Sequence, residues 1–485
     1  MKKKVSDNLI NKIRELKPER CELNDKDNGQ LFANVYRDIL RYNATAKEWY
    51  WFNGQRWQQD IGGMKAEQKA KELSDALYVY ATGIEDDAVR TEYIKHVARM
   101  GSRRVRKTMI DDSRDIYFIV NEDLDRDLYL LNCKNGVLNL KTFEFTKHSP
   151  DFLMTKIANV EYNPSVSSAE WKKFVDEVMQ GDKSKTEYLQ KLLGYSLTGG
   201  TNEESCYLLY GASTRNGKST LVETYAYMLG NTDGYALNMK PETLAQKNNT
   251  DSRQASGDIA RLDGCRFLNA SEPPKRMVFD VALLKTLLGR DSITARHLHQ
   301  SEFQFTPVFK LFINTNFLPL ITDDTLFSSG RLNVITFDRH FKPEEQDKGL
   351  KDRLKKPDNI SGLLNWCIDG LKKYYAEGAT PPECVTAATE EYRTNSDKIG
   401  NFISECLEES EENSSIKAVY EQYSEWCREN GFGAENKSNF TAELNSKGLL
   451  GAGLINGMTY KRVVRGYTIG KFEPVENEKN IPFSR

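Results

Sequence analysis

Two things the sequence has little of narrow its chemistry at once. Only five histidines and eight cysteines occur among 485 residues, and the cysteines (21, 133, 206, 265, 367, 384, 406, 427) are scattered with no C-x-x-C. That argues against a zinc site and fits reduced core thiols of a cytoplasmic protein. No run of about 18 apolar residues is present, so neither a membrane span nor a membrane partner is expected. The start, Met1-Lys2-Lys3-Lys4-Val5-Ser6, leads into charged, helix-like sequence rather than an apolar stretch, so no signal peptide is expected. A basic excess is also missing: the net charge is −2, unlike that of a free nucleic-acid-binding domain. Internal repeats and low-complexity tracts are absent too. What remains, 39% hydrophobic and 28% charged residues over a length suited to roughly three domains, describes a folded multidomain protein.

Locally the charge is uneven. Gly101–Lys107 holds Arg103, Arg104, Arg106 and Lys107, and Asn436–Lys471 carries six Lys/Arg against one Glu. Either stretch is a nucleic-acid contact or, more commonly for such a cluster, a solvated face.

The most informative stretch is Leu208-Leu209-Tyr210-Gly211-Ala212-Ser213-Thr214-Arg215-Asn216-Gly217-Lys218-Ser219-Thr220-Leu221. An apolar strand runs into a glycine-bounded loop and then a helix, the pattern of a phosphate-binding loop. Backbone N–H groups close on an anion, a lysine reaches the β/γ-phosphates, and a hydroxyl meets Mg²⁺. Residues 211–220 are therefore the expected ATP contacts, with Lys218 on phosphate and Ser219 or Thr220 toward Mg²⁺. The usual spacing would put glycine at 212, where Ala212 stands. Either the loop is one residue longer, starting at Gly211, or Ala212 replaces the first glycine.

Along the chain, residues 1–30 read as a polar, poorly ordered segment and 31–150 as an α+β domain. Within that domain Glu48–Trp57 forms an aromatic hairpin turned at Asn53-Gly54, better suited to packing than to base stacking. Residues 151–204 form a helical collar. The alternating pattern of 205–340 predicts a parallel α/β sheet with ligands at the carboxyl ends of its strands. A helical extension and linker cover 341–400. Residues 401–471 read as helix, helix and basic hairpin, a winged-helix-like DNA-binding domain in which Lys461, Arg462 and Arg465 face phosphate. A tail closes the chain at 472–485.

Hydrolysis needs an acid beside the metal and the attacking water. Cys265–Glu272 is a short apolar strand ending in one, and Glu272 is the candidate, sharing the metal with Ser219. Lys310–Asn316 is a buried strand ending in amides, with Asn316 placed to sense γ-phosphate and Asn314 as its competitor. Arg331 opens a further strand and suits a γ-phosphate contact on a neighbouring subunit. Alternation on both sides of 299–301 predicts a β-hairpin.

These ordered pieces (Tyr210–Thr220, Ala270–Pro273, Leu284–Phe305, Lys310–Asn316 and Arg331–Phe337), with Asn132–Ser149 ahead of them, resemble the superfamily 3 helicases of the AAA+ class, of the poxvirus and phage/plasmid primase-helicase type. The resemblance covers about residues 30–470. It implies an AAA+ core in a multidomain α/β chain, a hexameric ring that hydrolyses ATP with Mg²⁺ between subunits, and 3′ to 5′ movement on single-stranded or forked DNA. It assigns Lys218 and Ser219 to phosphate and Mg²⁺, Glu272 to the catalytic acid, Asn316 to the sensor and Arg331 to the arginine finger. The hairpin carrying Arg296, His297, His299 and Gln300 becomes the DNA grip. Ser271 departs from the family by standing where a second acid often sits, and His299-Gln300 by replacing a basic tip. No primase domain is evident, which implies a separate primase or polymerase partner. The alternative reading is an initiator or helicase loader that uses ATP as a switch.

Overall fold

The computed structural model describes residues 6–246, 257–275, 277–296, 302–321, 323–429 and 433–470. The chain opens with helices Asp7–Leu16, Asp25–Tyr36, Met64–Ala81, Asp87–Met100 and Arg103–Asp112 around an antiparallel meander of Leu40–Asn43, Glu48–Phe52 and Trp57–Gln59. Short polar side chains start the helices: Asn24 accepts from the Asp27 N–H, and Asp86 from those of Ala88 and Val89. The meander turns where Asn53 Oδ1 accepts from the N–H groups of Gln55 and Arg56, with Gly54 at φ +99°. Residues 1–30 were expected to lack structure; instead, helix Asp7–Leu16 carries Ile13 fully buried into this first core beside Phe32, Trp49 and Leu77. Trp49 and Trp57 are buried, so the aromatic hairpin packs. Arg106 donates to the Met100 and Gly101 carbonyls and closes the preceding helix, giving one member of the basic cluster a structural task.

A five-stranded all-parallel sheet forms the centre. Its strands, in spatial order, are Leu332–Thr336, Cys206–Tyr210, Lys310–Thr315, Phe267–Ser271 and Ala236–Met239. Numbered by chain position the order is 5-1-4-3-2, so Lys310–Thr315, which ends in amides, lies between Cys206–Tyr210 and Phe267–Ser271. Helices Ala169–Val178, Lys183–Tyr195, Lys218–Leu229 and Pro357–Glu377 cover one face, sharing a core of Trp171, Leu189, Tyr225, Phe267, Phe312 and Leu364. The hairpin Leu130–Cys133/Gly136–Asn139 joins that same core through Leu131 and Leu138. Leu208, Leu268, Leu284, Ile313 and Val334 fill the opposite face.

Helix Glu383–Ser396 leads to a separate C-terminal core of Phe402, Tyr423, Trp426, Phe440 and Leu444. Here helices Lys398–Cys406, Ile416–Glu429 and Lys437–Ser446 precede an antiparallel hairpin of Leu450–Ile455 and Met458–Val464. Strand Tyr467–Ile469 returns to pair with Leu407–Glu409. Among the described residues no helix is long and apolar enough to cross a membrane.

Candidate nucleotide site

Three parallel strands end together beside the loop of residues 211–217, the candidate phosphate loop. Tyr210 pairs in register with Thr315, and Ser271 with Asn314, so the residues just past them gather at one edge of the sheet. The loop is anchored from below: the Gly211 N–H donates to the Thr315 carbonyl at 3.3 Å and the Phe337 N–H to that of Tyr210 at 2.6 Å. The segment after strand Leu332–Thr336 holds its flank, with His340 Nδ1 2.8 Å from the Thr214 carbonyl oxygen and the Phe341 N–H donating to Arg215 at 2.9 Å.

The first-glycine ambiguity resolves on packing. A Cβ at Gly211 would lie 2.7 Å from the Phe337 carbonyl oxygen and 3.0 Å from Lys218 Nζ, and against the Asn216 amide. Ala212 is exposed. Packing therefore holds position 211, and not 212, to glycine, which favours the longer loop that starts at Gly211. Gly217 is required for a different reason: at φ +87° it starts the helix, with Val178 against the position of its missing Cβ.

Lys218 is 3% exposed, and its ammonium donates to Asn316 Oδ1 at 2.7 Å and the Gly211 carbonyl at 3.2 Å. Burial lowers its pKa to about 8, against an opposing pull from the Glu272 carboxylate. Next along the helix, Ser219 Oγ accepts from Asn314 Nδ2 at a long 3.4 Å. Glu272 is exposed just beyond its strand at φ +56°, a left-handed conformation fixed by its N–H donating to the Asn314 carbonyl at 2.8 Å. Lys218, Ser219, Glu272 and Asn316 are thus brought together. Arg331 is not: it precedes the first residue of strand Leu332–Thr336, at the opposite edge of the sheet, where it pairs with Glu204 at 2.7 Å. At ~3.3 Å per residue, a five-residue strand puts it ~16 Å from the phosphate-loop edge.

Two cavities flank the helix start. One of about 560 Å³ is lined by Ser219, Glu223, Asn269, Ser271, Glu272 and Asn314. The other, about 480 Å³, borders Gly217 and Thr220 and is walled by Phe174, Phe341, Lys351 and Arg353. Sequence reasoning missed Asn269, which donates to Asn238 Oδ1 at 3.0 Å and Ser271 Oγ at 2.8 Å, while its own buried Oδ1 has no partner among the described residues. An asparagine inside the otherwise apolar Phe267-Leu268-Asn269-Ala270 run was the available signal. The site residues suit a Mg²⁺-nucleotide. The buried ammonium of Lys218 suits a phosphate, and Ser219 and Glu272 would offer the hard oxygen donors Mg²⁺ prefers.

Of the remaining predicted contacts, Arg296 closes strand Ile293–Arg296, which pairs antiparallel with Glu302–Phe305, so the arms of the expected hairpin are present. His297, His299 and Gln300 lie outside the described residues. Lys461 and Arg462, on Met458–Val464, and Arg465 just after it are exposed and form no ion pair among the described residues.

With the Lys218 pKa lowered to about 8, any phosphate binding at this loop is expected to depend on pH. Bound phosphates favour the charged ammonium, so the bound pKa lies above the free one, and binding takes up a proton above pH 8. Affinity should be flat below that value and fall by up to ~10-fold per unit above it. A fluorescent ATP analogue titrated at successive pH values measures this; a flat profile through pH 9 would show that the lysine is charged in the free protein.

Residues 29–180 match the family described as D5 N terminal like, residues 394–457 match Poxvirus D5 protein-like, and residues 209–331 match a family of unknown function. Among curated proteins the chain is 29% identical over 427 residues to "Putative helicase L207/L206" of Acanthamoeba polyphaga mimivirus, covering 83% of this chain and 42% of that protein. It is 26% identical over 335 residues to "Putative primase C962R" of African swine fever virus, covering 64% of this chain and 34% of the relative. The chain therefore spans less than half the length of these relatives. Among solved structures, the apo C-terminal region of NrS-1 aligns with a TM-score of 0.46 at 10% identity, over 89% of this chain and 97% of that one. The two D5-type segments and the viral relatives support a D5-type primase-helicase family.

Proposed function

We propose that this chain is an ATP-dependent DNA helicase of replication that works as a ring of identical subunits, hexameric by the family resemblance, and moves 3′ to 5′ on single-stranded DNA. The observation that carries the reading is the meeting of Lys218, Ser219, Glu272 and Asn316 at one edge of a parallel sheet. ATP supplies the phosphoryl group, and Mg²⁺, when bound, offsets the charge on its oxygens. In this reading Lys218 leaves Asn316 Oδ1 for the phosphates, so the Asn316 amide is released to sense the γ-phosphate. Ser219 turns its hydroxyl oxygen to the metal while Asn314 steadies it from behind. Glu272 takes the proton of the attacking water.

Arg331 lies too far from its own loop to act there, which supports a role in the site of the next subunit. Mixing Arg331→Ala with Lys218→Ala protein is then expected to restore part of the hydrolysis, because a mixed ring contains intact interfaces. Co-assembly without any rescue would assign Arg331 to its Glu204 pair. The strand order and the C-terminal arrangement of helices followed by a basic hairpin fit an AAA+ core and a winged-helix unit. The exposed Lys461, Arg462 and Arg465 also favour a second reading, an ATP-switched initiator or loader that binds duplex origin DNA. Strand displacement on forked duplexes with one free tail at a time, with Lys218→Ala as control, separates the two. Displacement that needs ATP and a 3′ tail supports the helicase; ATP turnover and duplex binding without displacement support the loader.

A further inference from the structure

A second surface, remote from the sheet, is built around Tyr117. This residue sits at φ +56°, a conformation unfavourable for a bulky aromatic, yet it is held there from three sides. Its hydroxyl donates to Asn34 Oδ1 at 3.1 Å, and its carbonyl accepts from Arg41 Nη1 at 3.1 Å. Two residues on, Ile119 exchanges backbone hydrogen bonds with strand Leu40–Asn43 and the residue after it: its N–H donates to Tyr42 and its carbonyl accepts from Ala44, each at 2.9 Å. Aromatic surface stays in solvent here, with Tyr117 40% and Phe118 54% exposed. Guanidiniums of Arg37 and Arg41 lie 5.2 and 5.4 Å from the Tyr117 ring centre. Asp38 faces Lys12 at 3.6 Å and, with Asp151, partly offsets the charge of the half-buried Arg41, whereas the exposed Arg37 has no ion pair among the described residues.

We infer that Arg37, Arg41, Tyr117 and Phe118 form a binding platform for single-stranded nucleic acid. Aromatic faces take up unpaired bases, and arginines stacked beside them meet phosphates and add cation–π contact, the combination that binds single strands with little sequence preference. Only a ligand with flat unpaired rings and a regularly spaced negative charge uses both halves of this surface. An apolar core would have served stability better than an exposed Phe118 beside a strained tyrosine.

The test uses the full chain without nucleotide, so it is independent of the ATP reading. Fluorescence anisotropy follows binding of DNA and RNA oligomers of about 20 pyrimidine nucleotides. Photo-crosslinking with iodouracil-containing oligomers, read by mass spectrometry, locates the contact. Phe118→Ser and Tyr117→Gly are each expected to weaken binding about tenfold, and Arg37→Ala to reduce the salt slope by ~0.7. Equal losses on both oligomers mean that the platform reads either sugar; loss on one alone assigns the ligand to DNA or to RNA. Tyr117→Gly also discriminates against a purely structural role, because the relief of backbone strain at this φ offsets the lost hydroxyl bond to Asn34 and the thermal midpoint should stay near that of wild type while binding falls. Unchanged affinity in Phe118→Ser and Tyr117→Gly, with no crosslink at 117 or 118, overturns the inference, and is what a surface serving another protein would give.

Discussion

Glu272→Gln is expected to yield a protein that still captures ATP but hydrolyses it ~10²–10⁴-fold more slowly, the loss that follows removal of a positioned general base. Glutamine keeps the shape of the side chain and the backbone hydrogen bond to Asn314, so the strand end stays in place while the proton acceptor disappears. Lys218→Ala is expected to fail one step earlier. Its ammonium is the buried positive charge of the loop, and its partners Asn316 Oδ1 and the Gly211 carbonyl repel phosphate once it is gone. Equilibrium binding of an ATP analogue beside single-turnover hydrolysis separates the two defects. Wild-type turnover in Glu272→Gln would remove the acid from the mechanism and leave an exposed residue in a strained turn. Weak capture by both variants would mean that Glu272 acts through the Lys218 charge, which it already biases.

The parts of this site that could be read in the sequence are those set by neighbours in the chain. A strand, a loop with glycine and lysine, and a helix follow one another within fourteen residues, and each leaves its own period. Glu272 and Asn316 became candidates because each ends a short apolar run. The choice between Gly211 and Ala212 was hidden, since it depends on the Phe337 carbonyl more than a hundred residues away. Helix Asp7–Leu16 was hidden differently: Leu9, Ile10, Ile13 and Leu16 recur at helical spacing, but the charged surroundings outweighed that period, and only the packed core reveals their partners. The arms of the hairpin beyond Ile293 were legible from alternation, while Arg331 and its Glu204 partner meet only through tertiary folding. Tyr117 is the extreme case, because nothing in Ile116-Tyr117-Phe118 announces a left-handed backbone.

Two buried cations at the far edge of the sheet were equally hidden, and Arg266→Ala should be among the most destabilising single changes in the chain. Arg266 precedes the acid strand, is 4% exposed, and donates to the carbonyls of Leu197 at 2.7 Å and Leu130 at 2.8 Å. The first carbonyl lies just past helix Lys183–Tyr195 and the second on the N-terminal hairpin, so one guanidinium ties both to the strand that ends at Glu272. Alanine leaves two buried acceptors unpaired, at about 1–3 kcal/mol each, and opens a cavity beside the Tyr235 ring. A loss of about 3–5 kcal/mol is expected. Lys310→Met should behave quite differently although the site is as deep. Lys310 is 3% exposed, precedes Asn316 by six residues, donates to the Thr198 carbonyl and stacks 4.4 Å from the Tyr195 ring. Burial, reinforced by the charge of Arg266, holds its pKa well below that of a free lysine. Methionine fills similar volume, removes the buried ammonium and leaves two carbonyls without it, that of Thr198 and, at a long 3.5 Å, that of Val308, so the net change should stay within about 2 kcal/mol. The pH dependence gives an independent check. Between the depressed folded pKa and the ordinary unfolded one, the unfolded chain binds more protons, so Lys310 makes stability rise with pH, and Lys310→Met should flatten that slope. Thermal melts of both variants across pH, with amide exchange read on strand Phe267–Ser271, measure all three effects. Should Arg266→Ala melt like wild type, the two carbonyls have found water, and the tie between the N-terminal hairpin and the acid strand is not made by this guanidinium.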